Sequence, residues 1–263
     1  MKFIHLTDTH IVAGAGDLYG TNPKTRLQQA VAHICAHHAD ADALVLTGDL
    51  THLGQEDAYR QVCECLAPLP MPVYPILGNH DCRSVFIAHF KQVPRDGHGF
   101  IQYTQDFGDY LAIFLDTNKP GAHWGEFCEL RAQWLRAQLA ATDRPVLLFM
   151  HHPFFPVGIG SMDTIALRDT APFLSAIAGY QNQIKHIFFG HIHRPIFGSI
   201  NGMPFSTLRG TNHQVALTLD DDATADIIAS HEPPQYAVVL LDEPQIVIHL
   251  EDFSDHNLRF ALT

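Results

Sequence analysis

Short apolar runs alternate along this chain with longer stretches of helical periodicity. The runs are 3–6, 43–47, 73–77, 111–115, 146–150 and 186–189, each four or five residues long and mostly continuous. Strands covered on both faces have this character. Between them lie 24–38, entered by the start signal Asn22-Pro23, then 55–66, 84–90, 126–140 and 169–178, which read as helices. A βαβ-type order of this kind predicts an α/β fold. A hairpin, 100–105 and 110–115 joined through Phe107-Gly108-Asp109, interrupts the alternation and argues against a purely parallel sheet. After His193 the helical patterns stop, and 195–200, 204–208, 215–219, 236–241 and 246–250 read as strands, with Asn201-Gly202 as a tight turn. Two sheets packed between helical layers accommodate this order better than one open sheet. The stretch Asp220-Asp221-Asp222-Ala223-Thr224 reads as a solvated loop, and 236–250 as an edge hairpin.

Five of the runs end in polar clusters. Run 3–6 leads into Thr7-Asp8-Thr9-His10, 43–47 into Gly48-Asp49, 73–77 into Gly78-Asn79-His80-Asp81, 146–150 into His151-His152, and 186–189 into Gly190-His191-Ile192-His193. In α/β architectures ligands gather beyond the carboxyl ends of the strands, so these loops are expected to converge. They bring together carboxylates, one carboxamide and a group of imidazoles. That set suits Fe, Mn, Zn or Co, whereas magnesium or calcium calls for oxygen donors and structural zinc for more cysteine. In Asp8-Thr9-His10 and His191-Ile192-His193 the donors stand two apart, positions that share a face on extended chain. Gly48, Gly78 and Gly190 precede candidate donors, where a missing side chain lets the backbone turn closely. Taken singly, each residue has an ordinary reading as a turn former, a cap or a satisfied histidine. Five separate loops carrying donor types together argue for a metal site. His33, His37, His38, His89, His123, His186 and His249 are assigned no role, and His5 reads as a core or supporting group.

Composition narrows the partners. Sixteen basic side chains against 28 acidic ones leave 263 residues with a net charge of −12. That balance disfavours nucleic-acid polymers and anionic membrane surfaces, whose binding rests on Lys and Arg. No apolar run is long enough to span a bilayer, and no basic-then-apolar leader precedes the first run. The five cysteines, scattered and odd in number, suggest no disulfide framework. A cytoplasmic setting is the expectation.

In their order, D-x-H, G-D, G-N-H-D, H and G-H-x-H, the clusters resemble the pattern of the calcineurin-like metallophosphoesterases over residues 1 to about 215. Within that family the chain looks most similar to bacterial class III cyclic-nucleotide phosphodiesterases and related glycerophosphodiesterases. Leu18-Tyr19-Gly20, Phe149-Met150-His151-His152-Pro153 and Gly210-Thr211-Asn212-His213-Gln214 support the likeness. The resemblance implies a four-layer αββα sandwich of two mixed β-sheets flanked by helices. It implies a catalytic domain at 1–215, and C-terminal strands at 216–263 that complete the sheet, cap the cleft or form a subunit contact. It further implies that Asp8, His10 and His193 hold one ion, that Asn79, His151 and His191 hold the other, and that Asp49 bridges both. His152 would not be a ligand, His80 and His213 would line the substrate side, and Asp81 would orient His80. A homo-oligomer, dimer or larger, is expected.

Two ions roughly 3.5–4 Å apart lower the pKa of a bound water enough to supply hydroxide near neutral pH. Two carboxylates, Asp8 and Asp49, do not cancel the charge of two such ions, so the cleft stays cationic on an acidic protein and takes one small phosphate. His80 is the first candidate to protonate the departing oxygen and His213 the second. The expected activity is hydrolysis of a small phosphodiester, a 3′,5′-cyclic nucleotide or a glycerophosphodiester. A phosphomonoesterase of the same fold is the alternative. It would call for positioned arginines, and only Arg83 and Arg194 stand near the motifs. A non-catalytic interaction protein is the reading from another class, and every donor position here is chemically intact. Tyr19, Arg194, Arg209 and 157–163 read equally as contacts to a base or headgroup and as packing or surface residues.

Overall fold

The computed structural model describes residues 1–254 apart from 220, 221 and 223. Along the chain the elements are β1 (Lys2–Leu6), α1 (Pro23–His37), β2 (Ala43–Thr47), α2 (Glu56–Leu66), β3 (Val73–Ile76), α3 (Arg83–His89), β4 (Tyr103–Phe107), β5 (Tyr110–Phe114) and α4 (Glu129–Ala140). There follow β6 (Val146–Met150), the short turn α5 (Gly160–Asp163), α6 (Ala171–Ile177), β7 (Ile184–Phe189), β8 (Ile196–Ile200), β9 (Met203–Thr207), β10 (Gln214–Val215), β11 (Ala229–Ser230), β12 (Gln235–Asp242) and β13 (Gln245–Asp252). Among the described residues these form sheets ordered β13-β12-β1-β2-β3 and β4-β5-β6-β7-β9-β8, and a ribbon of β10 and β11.

The continuous apolar runs become the sheet centres. β2 and β6 are buried along their whole length and pair in parallel with β1 and β3, and with β5 and β7. The antiparallel members come from turn chemistry. β4 and β5 join across Gly108, and β8 and β9 across Asn201-Gly202, all three at positive φ. β12 adds antiparallel to β1, and β13 to β12, at one edge of the first sheet.

Aromatic rings fill the space between the sheets, where Phe3 of β1 meets Phe107, Phe149 and Phe188 of the second sheet at 5.4–5.8 Å between centroids. Leu27, Val31 and Ile34 of α1 and Tyr59 and Val62 of α2 extend this core on the first sheet, while Leu135 and Leu139 of α4 and Phe173 and Ile177 of α6 cover the second. At about 1.5–3 kcal/mol per large apolar side chain, this burial supplies the rigid frame on which the strand-end loops rest. The expected αββα layering is the one observed.

Two sequence expectations fail locally. The strand expected at 215–219 is confined to Gln214–Val215. Past Ala216, whose N–H bonds the Ile228 carbonyl at 2.8 Å, the pairing stops, and Leu217 and Leu219 stand 56% and 71% exposed. The hairpin arm expected from residue 100 starts at Tyr103, because Phe100 lies under the guanidiniums of Arg83 and Arg131, at 5.4 and 4.2 Å. The acidic loop read at 220–224 lies partly outside the described residues. All five cysteines are unpaired, and among the described residues no helix is long and apolar enough to cross a membrane.

Candidate metal centre

The loops after β1, β2, β3, β6 and β7 meet at one edge of the sandwich, on an unusual backbone. Asp8, His10, Asp49, His191 and His193 have φ of 52°, 46°, 49°, 70° and 52°. The left-handed region is rare for residues with a side chain and costs about 1–3 kcal/mol each. Neighbouring loops hold them there: Asp8 N donates to Gly48 O at 3.1 Å, His10 N to Asp49 O at 2.9 Å, and His191 N to the Asp8 carboxylate at 3.1 Å. Left-handed turns therefore bring the D-x-H and H-x-H donors together, not the strand pleat that the two-residue spacing suggested.

Two groups of atoms result. In the first, Asp8, His10, Asp49 and His193 present donor atoms within 4.8 Å of one another. Nε2 of His10 lies 3.0 Å from Nε2 of His193 and 3.5 Å from Oδ2 of Asp49, and Nε2 of His193 lies 3.4 Å from Oδ1 of Asp8. In the second, Oδ1 of Asn79 lies 2.9 Å from Nδ1 of His191 and 3.2 Å from Nε2 of His151, which is itself 3.4 Å from Oδ2 of Asp49. The two groups share that one Asp49 oxygen. Its companion Oδ1 accepts the His80 N–H at 2.8 Å, which fixes the carboxylate's rotation. Gly78 makes the approach feasible: a Cβ there would stand 2.2 Å from Oδ1 of Asp49.

The chemistry of these atoms fits cations. His151 donates through Nδ1 to the Thr47 carbonyl at 2.7 Å, and His193 through Nδ1 to the His213 carbonyl at 2.8 Å. In its neutral form each ring therefore turns a bare Nε2 lone pair toward carboxylate, carboxamide or imidazole atoms that are also lone-pair bearers, an array that a cation would satisfy. Burial pushes His10 and His191 well below the usual histidine range, keeping those rings neutral. Burial would lower His151 as well, but the charges of Asp49 and Asp8 prevail and lift it to about 9. Positive charge is stabilised where the donors converge.

His80 lines the cleft, and its Nδ1 donates to the His52 carbonyl at 2.8 Å. The expectation that Asp81 orients His80 is corrected. The Asp81 carboxylate accepts from Leu50 N, Thr51 N, Gly78 N and Tyr59 OH at 2.8–3.2 Å, tying the β2 and β3 loops together from beneath. Burial raises it to about 6. His213 also lines the cleft, its ring 4.9 Å from that of His10 and 4.5 Å from that of His193, and burial pushes it down to about 2. Both nitrogens of His152 are engaged, by Thr117 Oγ1 at 2.7 Å and the His123 carbonyl at 3.2 Å. The arginines do not face the clusters. Arg83 forks onto Asp116 with two contacts of 2.9 Å, and Arg194 and Arg209 both bind Glu232.

Two histidines of the cleft escape the sequence reading. His52 stacks on His80 at 5.0 Å, with Nδ1 3.4 Å from Nδ1 of His10. His123 lies 3.3 Å through Nδ1 from Nδ2 of Asn79, an arrangement that turns the Asn79 oxygen toward His151 and His191. The position of His52, three residues past Asp49 in the same loop, is a signal that was available. His123 has none, since it lies in a long connection without periodicity.

A sandwich with two donor groups sharing a carboxylate at its strand ends has the architecture of a dinuclear-metal hydrolase. The chain belongs to the calcineurin-like phosphoesterases, whose family model matches residues 1–195. It is 43% identical over 266 residues to a probable cyclic nucleotide phosphodiesterase of Rhodopseudomonas palustris, covering 100% of this chain and 96% of that one. It is 29% identical to a glycerophosphodiester phosphodiesterase, GpdQ, of Enterobacter lignolyticus over 84% of this chain and 81% of the relative. Among solved structures, a dimetal phosphatase from Danio rerio superposes with a TM-score of 0.72 at 18% identity, covering 97% and 96% of the two chains, a likeness of fold.

Proposed function

We propose that the protein is a dinuclear-metal phosphodiesterase acting on 3′,5′-cyclic nucleotides. Asp8, His10 and His193 would hold one ion, Asn79, His151 and His191 the other, and Asp49 would serve both. The observation that carries this reading is the single oxygen, Oδ2 of Asp49, that faces Nε2 of His10 at 3.5 Å and Nε2 of His151 at 3.4 Å. When bound, two transition ions supply a water acidic enough to ionise near neutral pH and positive charge for the phosphoryl oxygens. The chain's own residues do the rest. Thr47 and His213 fix the tautomers of His151 and His193 through their carbonyls. Asp81 holds the Gly78 and Leu50 backbones in register, and with them the carboxylate of Asp49 and the amide of Asn79. His80, with its Nδ1–H committed to the His52 carbonyl, would protonate the departing sugar oxygen from Nε2 when the ring carries both protons, and is left as the neutral Nδ1–H tautomer. His213, the other imidazole at the cleft, is kept neutral by burial and is the poorer donor.

Arginines tied up in ion pairs favour a diester over a dianionic monoester. Full-length similarity to the Rhodopseudomonas palustris relative supports a cyclic nucleotide as substrate. Unpaired thiols support a cytoplasmic setting. The edge strand β13 is the segment we assign to self-association, and the stretch after residue 215 contributes Ile227 and Ala229 to the lining of the cleft. The test is a panel of cyclic AMP, cyclic GMP, glycerophosphoethanolamine and p-nitrophenyl mono- and diesters, with metal content measured on the same sample. Cyclic nucleotides should be turned over by protein carrying two ions per chain. Faster turnover of the monoester than of every diester would overturn the reading.

A further inference from the structure

The cleft, of about 350 Å³, has two unlike walls. One is the array of imidazoles, carboxylates and carboxamide described above. The rest of the lining includes Met162 and Ile165 from α5 and the turn after it, Val215 of β10, and Ile227 and Ala229 at β11. Met162 and Val215 belong to a small apolar core of their own, with Ile159 and Ile192, distinct from the two cores on the sheets. That core presents its margin to the cleft, where Ile227 remains 47% exposed.

The wall is also fixed in place. Glu232, just past β11, binds both Arg194 and Arg209, and the same Arg194 Nη1 donates to the Val215 carbonyl at 2.9 Å. His231 donates through Nε2 to the carbonyl of Tyr19, itself a lining residue of the cleft, at 2.7 Å. On the other side, Asp163 accepts the N–H groups of Val157 and Gly158 at 2.7 and 3.1 Å, closing the loop that carries Met162. The arginines that the sequence left open as substrate contacts are the fasteners of an apolar surface.

Resting on the cyclic-nucleotide reading above, we propose that this wall is the nucleobase subsite, a planar base lying against Met162, Ile165 and Ile227 while the phosphate meets the donor groups opposite. A cleft of this size lies within the range of small-molecule sites, in which apolar lining holds the body of a ligand and a few polar groups fix its reacting end. A base offers a flat face to hydrocarbon. A glycerol headgroup offers none. Because apolar contact is non-directional, the wall accepts purines and pyrimidines alike.

The test uses the metal-loaded protein. Ile227→Ser alters a side chain that is already half-exposed, and Ile165→Ser probes the wall from a second element. Each is assayed with cyclic AMP and with glycerophosphoethanolamine, and adenosine, which lacks the phosphate, is titrated as an inhibitor. The ratio of kcat/KM for cyclic AMP to that for glycerophosphoethanolamine should fall about tenfold, through KM, and adenosine should inhibit about tenfold more weakly. Unchanged ratios and unchanged adenosine inhibition in both variants, with cyclic AMP still hydrolysed by the wild type, would overturn the subsite alone. A wild type that turns over no cyclic nucleotide would overturn the parent reading and the subsite together.

Discussion

Replacing Gly78 with alanine adds one methyl group at the point where the β2 and β3 loops touch. A Cβ there would lie 2.2 Å from Oδ1 of Asp49, 2.4 Å from its backbone N and 2.7 Å from Cγ. Ordinary contact begins at 3.4 Å, so about 1 Å must be found, and because one of the atoms is backbone, rotating the carboxylate does not provide it. Metal–donor distances tolerate about 0.2 Å. A displacement several times larger takes Oδ2 of Asp49 out of its shared position, 3.5 Å from Nε2 of His10 and 3.4 Å from Nε2 of His151. Disturbing the groups that support metal ligands typically weakens binding by 10–100-fold, and we expect Gly78→Ala to lie at the upper end for both ions. Overpacking of this kind costs about 1–3 kcal/mol, or roughly 2–10 °C in Tm for a chain of this size. Gly97→Ala is the control, since nothing lies within 4 Å of a Cβ there and its φ is not positive. Chelator-stripped protein is titrated with Co²⁺ or Mn²⁺ by calorimetry, and bound metal is counted after gel filtration. Two ions retained by Gly78→Ala at wild-type affinity would refute the argument.

The other expectations concern the same loops and the core behind them. Asp49→Ala should lose both ions, because one carboxylate oxygen faces both donor groups; elemental analysis showing full occupancy would remove the bridging assignment. His80→Ala should keep its metal yet slow cyclic AMP hydrolysis far more than release of p-nitrophenolate, which needs no proton, and equal losses for the two leaving groups would take His80 out of the acid role. Burial holds His5 near 3 and His186 near 4, below the ordinary 6.5, so both are neutral in the fold. As pH falls below 6.5 the unfolded chain takes up protons that the folded chain refuses, and stability should drop by about 1.4 kcal/mol per pH unit for each residue, levelling off near pH 4 for His186 and near pH 3 for His5. Urea unfolding of metal-free protein at pH 7.5 and 5.5 checks this, and a His5→Gln/His186→Gln variant with the same acid sensitivity as the wild type would contradict it.

Much of the frame was legible because it rests on local pattern. Buried strands write themselves as continuous apolar runs, and the donors lie at their ends, so 43–47 and 146–150 match β2 and β6 residue for residue. Pairings between distant residues left no such trace. Asp81 follows His80 in sequence, yet its carboxylate turns under the loops toward Tyr59, 22 residues earlier, while the His80 ring finds the His52 carbonyl, 28 residues earlier. Arg83 reads as a candidate phosphate ligand until Asp116, 33 residues later, is seen to occupy it. His123 reaches the cleft from a long connection, whereas His52 shares the loop of Asp49.

The two-residue spacing of the donors shows where local reasoning gives a correct partner for an incorrect reason. On a pleated strand, Asp8 and His10 would share a face but diverge from His191 and His193 on the neighbouring sheet. Left-handed φ at all four turns the donors inward across the seam between the sheets. Five such residues at about 1–3 kcal/mol each amount to a strain comparable with the whole stability of a domain, so local preference cannot sustain them. The interlocked loops do: the Asp8 carboxylate caps the His191 N–H, Gly48 O receives the Asp8 N–H, and Asp81 gathers the donors beneath. The geometry of the centre is thus a property of two sheets ending side by side, and binding of cations by donors so arranged would add to that stability in proportion to affinity.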